Sequence, residues 1–160
     1  MIRSDVIVIG AGIAGASAAA ELAANARVTL LEMEAQPGYH ATGRSAAYFA
    51  AAYGKRVVRV LTGCCEAFFR DPPGGFSDVR LLLPRDCMFF GRPHQAAALR
   101  AMQQDNPAVG LLGADEVLRR VPVFADGYLQ GALREPRGGD LDVDAILQGY
   151  LRQFRRRGGR

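Results

Sequence analysis

The apolar positions at the start of the chain predict a strand, a helix and a second strand in succession. Residues 5–9 form a short β-branched run that ends at a glycine, which is typical of a parallel strand buried on both faces. Residues 13–25 are rich in alanine and favour a helix, and residues 27–32 form a second buried run. This order within about 30 residues predicts a βαβ unit, and we expect its crossover to be right-handed.

After residue 54 the pattern changes to amphipathic segments and short apolar runs. Helices are predicted over 55–70, 94–105, 114–120 and 142–157, and strands over 81–83, 87–91, 109–112 and 128–134. The helix over 55–70 has an apolar stripe at positions 57, 61, 64, 65 and 68, so we expect Cys64 and Cys65 to belong to the core. Asp140 or Asp142 would cap the last helix, and Gly158-Gly159 would end it. Residues 33–54 predict loop with a short helix.

Glycines at positions 10, 12 and 15 lie where the first strand meets the first helix. Their spacing is weak evidence alone, but its setting gives each a physical role. Gly10 permits a tight turn, Gly12 lets the backbone approach a pyrophosphate, and Gly15 allows close packing of helix and strand. The helix N-terminus offers free N–H groups to phosphate. Glu32, at the end of the second strand, can accept hydrogen bonds from ribose hydroxyls and would repel a 2′-phosphate, which argues against NADP.

NAD and FAD share this motif, so the following residues have to distinguish them. An NAD-binding unit would continue quickly into its next helix and strand, whereas residues 33–54 insert a loop that leads to Ala46-Ala47. Small residues there would allow a wide ring system to lie against the backbone. The residues alone leave open an ordinary surface loop with a helix cap at Ser45.

Charge and composition exclude several classes of function. The net charge is +4, but residues 151–160 contain five arginines and no acid, which leaves 15 basic against 16 acidic residues elsewhere. A nucleic-acid binder should instead carry a basic face with interleaved aromatic residues. We interpret the arginines as a solvated helix end. The sequence therefore predicts no nucleic-acid partner.

The cysteines and histidines indicate neither a disulfide framework nor a metal site. Cys64 and Cys65 are adjacent and Cys87 is alone, which fits a reducing cytoplasm. His40 and His94 lie far apart, so no metal is expected. We expect His40 to be a hydrogen-bonded loop residue and His94 a surface or cap residue. The strand-loop-helix pattern explains the first twenty residues better than a signal peptide does, and no apolar stretch is long enough to span a membrane.

Several sequence stretches resemble the glycine oxidase, sarcosine oxidase and D-amino-acid oxidase superfamily of FAD-dependent oxidoreductases. They read VIGAGIAGAS at 8–17, EAQPGYHATGRSAA at 34–47 and AYG at 52–54. Within the superfamily the sequence is most similar to the D-arginine dehydrogenases, and weaker similarity continues to residue 152. The resemblance implies an α/β fold, with a Rossmann-like FAD-binding βαβ unit of the GR2 type and the incomplete start of an α+β substrate domain.

By this resemblance the cofactor is FAD and the substrate is a small-molecule amino acid or amine. Hydride transfer to flavin N5 would give an imine that hydrolyses to a 2-oxo acid and ammonia. The residues that would hold the ADP moiety are Gly10, Gly12, Ile13, Ala14, Gly15, Glu32 and Met33. Those that would wrap the ribityl chain and isoalloxazine are Ala41, Thr42, Gly43, Arg44, Ser45, Ala46, Ala47 and Tyr48. Tyr53 matches a tyrosine that contacts substrate in the D-arginine dehydrogenases. Tyr48 and Tyr53 are the only two catalytic candidates.

Two positions depart from the D-arginine dehydrogenases. Tyr48 stands where those enzymes have an active-site histidine, and Cys87 stands where they place a glutamate against the substrate guanidinium. Cys87 cannot form that charge-assisted pair, and Asp86 should point away from it in a regular strand. The departures weaken the expectation of arginine specificity and leave the wider amine or amino-acid class.

The resemblance also implies that this is the N-terminal portion of an enzyme more than twice as long. Residues 1–80 and 135–160 would form the FAD-binding part, and about 81–134 the start of the substrate domain. We expect a missing C-terminal half to complete the site, and the chain alone to bind FAD weakly with little catalysis. The sequence leaves open whether the chain is a truncated product, a pseudogene product or a fragment of a split protein. The alternatives in function are an NAD-binding Rossmann domain and a non-catalytic remnant.

Overall fold

The computed structural model describes residues 3–160 and begins with the predicted βαβ unit. Strand β1 (Val6–Ile9) pairs in parallel with β2 (Val28–Leu31), and helix α1 (Ile13–Leu22) connects them. Val6 lies opposite Val28 and Ile9 opposite Leu31. The parallel pairing and the order of the elements confirm the sequence prediction, although the helix ends three residues earlier than the alanine-rich run.

Helix α1 packs against α5 (Val143–Arg156) through small residues that allow close approach. Ala16 is buried with Leu147 and Leu151 of α5. The Asp142 side chain caps α5 by accepting a hydrogen bond from the backbone N–H of Ala145 at 2.8 Å. Gly158 has φ 82° and ends the helix in the left-handed conformation that favours glycine. Asp142 is therefore the cap, and Asp140, the other candidate, pairs with Arg85.

The prediction that β1 is buried on both faces is wrong. Val6 and Val8 pack against the core beside α1, but Ile7 and Ile9 are exposed, Ile9 to 85%. Within residues 3–160, α1 and α5 cover one face of the two-stranded sheet, and no described element covers the other. A continuous apolar run predicts two buried faces only where both layers are present.

A second sheet has antiparallel strands in the order β5-β7-β6. Its strands are β5 (Cys87–Gly91), β6 (Gly110–Gly113) and β7 (Gly131–Glu135), and it packs with α3 (Ala96–Asp105) and α4 (Ala114–Arg120). One cluster of core residues contains Ala52, Leu99, Val109 and Leu133. The other contains Val117, Leu129 and Ala132. The residue pattern predicted each of these elements within a few residues, except that a 3₁₀ turn at Pro93–Gln95 precedes α3.

Three very short strands form a small third sheet. Strand β8 (Gly139–Leu141) lies between β3 (Tyr48–Phe49) and β4 (Leu82–Pro84). The antiparallel register places Tyr48 opposite Asp140 and Phe49 opposite Gly139. The apolar run at 81–83 predicted β4, whereas β3 and β8 were not predicted because strands of two or three residues carry little alternation.

Helix α2 (Arg56–Arg70) forms as predicted, but its apolar stripe is not buried. No residue of this fully described helix reaches the buried class, and Cys64 and Cys65 are exposed. The prediction that both cysteines belong to the core is therefore wrong. An amphipathic period indicates a helix with one face suited to burial, and the described residues cover that face at its C-terminal end, where Phe68 packs against Phe76 and Tyr150.

The chain divides into two compact units. The first unit contains the residues up to Ala47, Ala67–Leu82 and Leu141–Arg160, and the second contains Tyr48–Glu66 and Leu83–Asp140. The predicted boundaries differ most for residues 48–66, which join the second unit because Ala52 packs with Leu133 and Arg59 pairs with Asp105 at 2.8 Å. The assignment of the units to cofactor and substrate stays a prediction.

Candidate cofactor-binding site

The turn between β1 and α1 is built almost entirely from backbone. Gly10 has φ 98°, and its N–H donates to the carbonyl of Leu31 at 2.7 Å, which ties the turn to the end of β2. A Cβ on Gly15 would overlap the carbonyl oxygen of Gly10. Gly12 caps α1 in an extended conformation, with no side chain of its own. No side chain of the turn itself therefore covers the positive end of the helix.

Glu32 faces this turn. One carboxylate oxygen accepts a hydrogen bond from the backbone N–H of Ala11 at 2.6 Å, and the other accepts from Met33 at 2.7 Å and Glu34 at 3.0 Å. The bonds from the amides of Glu34 and Ala11 are the main causes that lower the pKa of Glu32. The carboxylate is thus held ionised at the tip of β2, beside the glycine turn, as its sequence position predicts.

Thr42 also reaches the turn, from a loop about thirty residues farther along the chain. Its Oγ1 accepts a hydrogen bond from the N–H of Ile13, in the first turn of α1, at 2.9 Å. The same oxygen lies 3.0 Å from the position that a Cβ on Gly12 would occupy. The loop is compact, since the N–H of Gly43 donates to the carbonyl of Gly38 at 2.7 Å.

A cavity of about 570 Å³ lies over the turn, and all seven residues predicted to hold ADP line it. The predicted residues along its wall are Gly10, Gly12, Ile13, Ala14, Gly15, Glu32, Met33, Ala41 and Thr42. Tyr39 and His40 also line it and were not among the predicted cofactor residues. His40 is hydrogen-bonded, with its Nε2 2.7 Å from Glu34 Oε1, as expected of a loop residue.

The remaining predicted loop residues lie beside this cavity. Gly43, Ser45 and Ala47 line a second cavity of about 350 Å³, whose wall also includes Thr42 and the first turn of α5. Ala46 is exposed, and the Arg44 guanidinium lies over the Tyr39 ring. Ala47 has φ 52°, which is uncommon for a residue other than glycine. No helix begins at Ser45 in the described chain, so the alternative of a cap there is wrong.

Tyr48 lies in the second unit, within a cluster of polar side chains. Its hydroxyl donates to the carbonyl of Arg85 at 2.7 Å, and the Arg85 guanidinium lies 4.7 Å from the centre of its ring. Arg85 also pairs with Asp140 at 2.6 Å. Burial, followed by the electrostatic effect of Cys87, raises the pKa of Tyr48 to about 12. The phenol is therefore neutral and a hydrogen-bond donor at neutral pH.

Cys87 faces a buried carboxylate that the sequence did not reveal. In the register of β5 and β7 it lies directly opposite Glu135, which is 1% exposed. Glu135 Oε1 accepts a hydrogen bond from the N–H of Arg137 at 2.8 Å. Burial is the largest cause that raises the pKa of the Cys87 thiol. The predicted strand over 128–134 ended one residue before Glu135, so nothing in the sequence indicated its position. Tyr53 is 64% exposed in the same unit.

The family model for FAD-dependent oxidoreductases matches residues 5–160. The chain belongs to this family. FAD is accordingly the cofactor, and the geometry fits its ADP half. The glycine turn and the first turn of α1 line the cavity, the ionised carboxylate of Glu32 lines the same cavity at the tip of β2, and its volume is large enough for a nucleotide portion.

Several solved structures share the fold of this chain. The glycine oxidase of Bacillus cereus is 18% identical, with a TM-score of 0.78 over 98% of this chain. The glycine oxidase of Geobacillus kaustophilus is 20% identical, with a TM-score of 0.80 over the whole chain. L-α-glycerophosphate oxidase of Mycoplasma pneumoniae, solved in its dithionite-reduced form with FAD bound, is 12% identical, with a TM-score of 0.82 over the whole chain.

This family member spans less than half of those proteins. It covers 45% of the Bacillus cereus enzyme, 46% of the Geobacillus kaustophilus enzyme and 44% of the Mycoplasma pneumoniae enzyme. Among the described residues, no cluster of histidine, cysteine and carboxylate side chains has the size of a metal site. Likewise, none of the helices formed by residues 3–160 has the length and apolar character needed to cross a bilayer.

Proposed function

We propose that the protein carrying this chain oxidises the C–N bond of an amino acid or amine. The substrate would lose two electrons and two protons to become an imine, which, for a primary amino acid, water hydrolyses to a 2-oxo acid and ammonia. Bound FAD supplies the two-electron acceptor for this oxidation. The observation that carries the proposal is the open glycine turn with the Glu32 carboxylate beside it, in a chain that the family model matches over residues 5–160.

The first unit would hold the cofactor through its backbone. The N–H groups in the first turn of α1 would donate to the diphosphate, and close approach requires the missing side chain at Gly12. Glu32 would accept hydrogen bonds from the adenosine ribose, while its bonds from Ala11 and Met33 keep it oriented. Residues 41–48 would contact the ribityl chain and the isoalloxazine, for which the small side chains of Ala46 and Ala47 leave space.

Tyr48, Tyr53 and Cys87 would contribute to the substrate side. Because Tyr48 is neutral at physiological pH, we assign it a hydrogen-bond donor role and no role as a base. The Cys87 thiol is also neutral, since its pKa is raised by burial, and it offers no charge to a guanidinium. The proposal is therefore the amine and amino-acid class, without a preference for arginine.

The test is the visible spectrum of the purified protein under anaerobic conditions. We expect flavin absorbance that bleaches with at least one member of a panel of D- and L-amino acids, glycine and secondary amines. α-Glycerophosphate belongs in the panel, because bleaching by it alone would move the reaction to a C–O bond. A folded, colourless protein that binds NADH and not FAD would contradict the proposal in favour of an NAD-binding domain.

A further inference from the structure

The side chain of Tyr48 is held by Arg85, which was not among the predicted site residues. The Tyr48 hydroxyl donates to the main-chain carbonyl of Arg85 at 2.7 Å, and the guanidinium of the same residue lies 4.7 Å from the centre of the ring. Arg85 thus contacts both the polar tip and the face of the phenol. Two contacts of different kinds fix the orientation of a ring more closely than either contact does alone.

Arg85 is itself fixed by its side chain and by its main chain. Its Nε and Nη2 donate to the carboxylate of Asp140 at 2.6 to 2.9 Å, and its main-chain N–H donates to the carbonyl of Gly138 at 3.1 Å. Asp140 lies opposite Tyr48 in the register of β3 and β8. The contacts therefore form a closed ring of three residues, and the planar fork of arginine suits it better than the single ammonium of lysine does.

The tip of the Tyr48 ring lies close to main chain on a second side. A Cβ on Gly138 would overlap the Tyr48 hydroxyl oxygen. The hydroxyl therefore reaches the Arg85 carbonyl only because position 138 carries no side chain. The main chain at Gly138 and Arg85 sets the position of the tip, and the Arg85 guanidinium covers the face of the ring.

The ion pair of Arg85 and Asp140 is too exposed to contribute much to stability. Their side chains are 57% and 47% exposed, and an ion pair in that setting adds little to the free energy of unfolding. What the pair provides is one fixed position for the guanidinium that lies over Tyr48. We therefore expect its effect in the orientation of the ring more than in the stability of the fold.

We propose that Arg85 is a positioning residue for Tyr48, and that its guanidinium, clamped by Asp140, holds the phenol in the orientation in which the substrate meets it. The inference rests on the proposed function, in which Tyr48 contributes to the substrate side. It adds a residue that acts through Tyr48 and needs no contact of its own with the substrate.

The test is a double-mutant cycle in the full-length protein, with the panel member that bleaches the flavin fastest. Arg85→Ala removes the guanidinium and keeps the main-chain acceptor, so we expect kcat/KM to fall about fivefold, mainly through kcat. Arg85→Lys keeps a cation and should recover part of the loss. Combined with Tyr48→Leu, Arg85→Ala should change kcat/KM by less than about twofold further. Losses that add, or no loss in Arg85→Ala, would overturn the inference.

Arg92 offers a matched control in the same unit. Its guanidinium lies 4.8 Å from the centre of the Tyr128 ring, and its Nη2 donates to the Tyr128 hydroxyl at 2.7 Å. Arg92→Ala should leave kcat/KM within about twofold, although it removes the same kind of contact. A fall as large as that of Arg85→Ala would assign the effect to the loss of any surface arginine and would overturn the inference.

A second measurement does not depend on activity. The Tyr48 ring protons should show a nuclear Overhauser contact with the Cα protons of Gly138, which weakens in Arg85→Ala and persists in Arg85→Lys. An undiminished contact in Arg85→Ala would overturn the inference. If no panel member bleached the flavin, the proposed function would fail, and this contact would still decide whether Arg85 holds Tyr48. Bleaching with an unchanged kcat/KM in Tyr48→Leu would leave the function standing and overturn the inference alone.

Discussion

The two compact units differ in what their candidate sites are made of. In the first unit the site is backbone, namely the glycine turn and the N-terminus of α1, with Glu32 and Thr42 placed against it. In the second unit the candidate residues are side chains on short strands, with Tyr48, Cys87 and the buried Glu135 close together. The difference teaches that backbone sites are encoded locally, whereas side-chain sites depend on the register between strands distant in sequence.

The largest expected effect comes from filling a glycine that another backbone approaches. Gly15→Ala would push a Cβ into the carbonyl of Gly10, and Gly131→Ala would do the same to the carbonyl of Leu112. We expect each to lower the free energy of unfolding by about 3 kcal/mol, measured by urea denaturation. Only Gly15→Ala should also abolish ADP binding.

Gly63→Ala is the control for these substitutions, because a Cβ there meets open space within helix α2. It should raise stability by about 0.5 to 1 kcal/mol. If Gly131→Ala removed ADP binding as completely as Gly15→Ala does, the separation between the two units would be wrong.

The next effect concerns Glu32, whose role can be separated from that of its neighbour Glu34. Glu32→Gln should weaken FAD binding about tenfold or more, because a carboxylate accepts stronger hydrogen bonds than an amide. Glu34→Gln, which affects only the contact with His40, should change the affinity less than about threefold. Fluorescence quenching of FAD measures both, and equal losses would contradict the role of Glu32.

The pH dependence of the same binding follows from the lowered pKa of Glu32. The bonds from the amides of Glu34 and Ala11 keep the carboxylate ionised below the usual glutamate value of about 4.3. Its contribution is therefore complete above that value and is lost as the pH falls through the lowered pKa. Glu32→Gln should remove this loss of affinity at acid pH.

The two units also differ in how much of their structure could be predicted from the sequence. The strand-helix-strand order, the glycine turn and the position of Glu32 follow from period and spacing, because each depends on neighbours a few residues away. The exposure of Ile7, Ile9 and Cys64 could not be predicted, since a period indicates an apolar face and not what packs on it. Glu135 was missed because its proximity to Cys87 arises from pairing between β5 and β7.

A smaller effect should be seen in the second unit at Tyr48. Its raised pKa predicts a step in phenolate absorbance with a midpoint near pH 12, absent in Tyr48→Phe. The stability that the protonated phenol contributes is complete below the ordinary tyrosine value of about 10 and is lost as the pH rises through about 12. Tyr53→Phe is the control, since that exposed ring should leave the step unchanged.

The smallest expected effect is a difference in the rates at which the three cysteines react with a thiol reagent. Cys64 and Cys65 are exposed, whereas Cys87 is half-buried and burial raises its pKa. With a thiol reagent at neutral pH we expect two fast reactions and one at least about tenfold slower. Cys87→Ser should remove the slow phase alone, and three equal rates would contradict the environment described for β5.

The most direct test of the cofactor site is competition for it by halves of FAD. Flavin-free protein is loaded with FAD, ADP or FMN is added, and the FAD that stays on the protein after gel filtration is quantified by chromatography. A site that holds the ADP half through the glycine turn and Glu32 predicts displacement of FAD by ADP and little displacement by FMN. Displacement by FMN with none by ADP would contradict it.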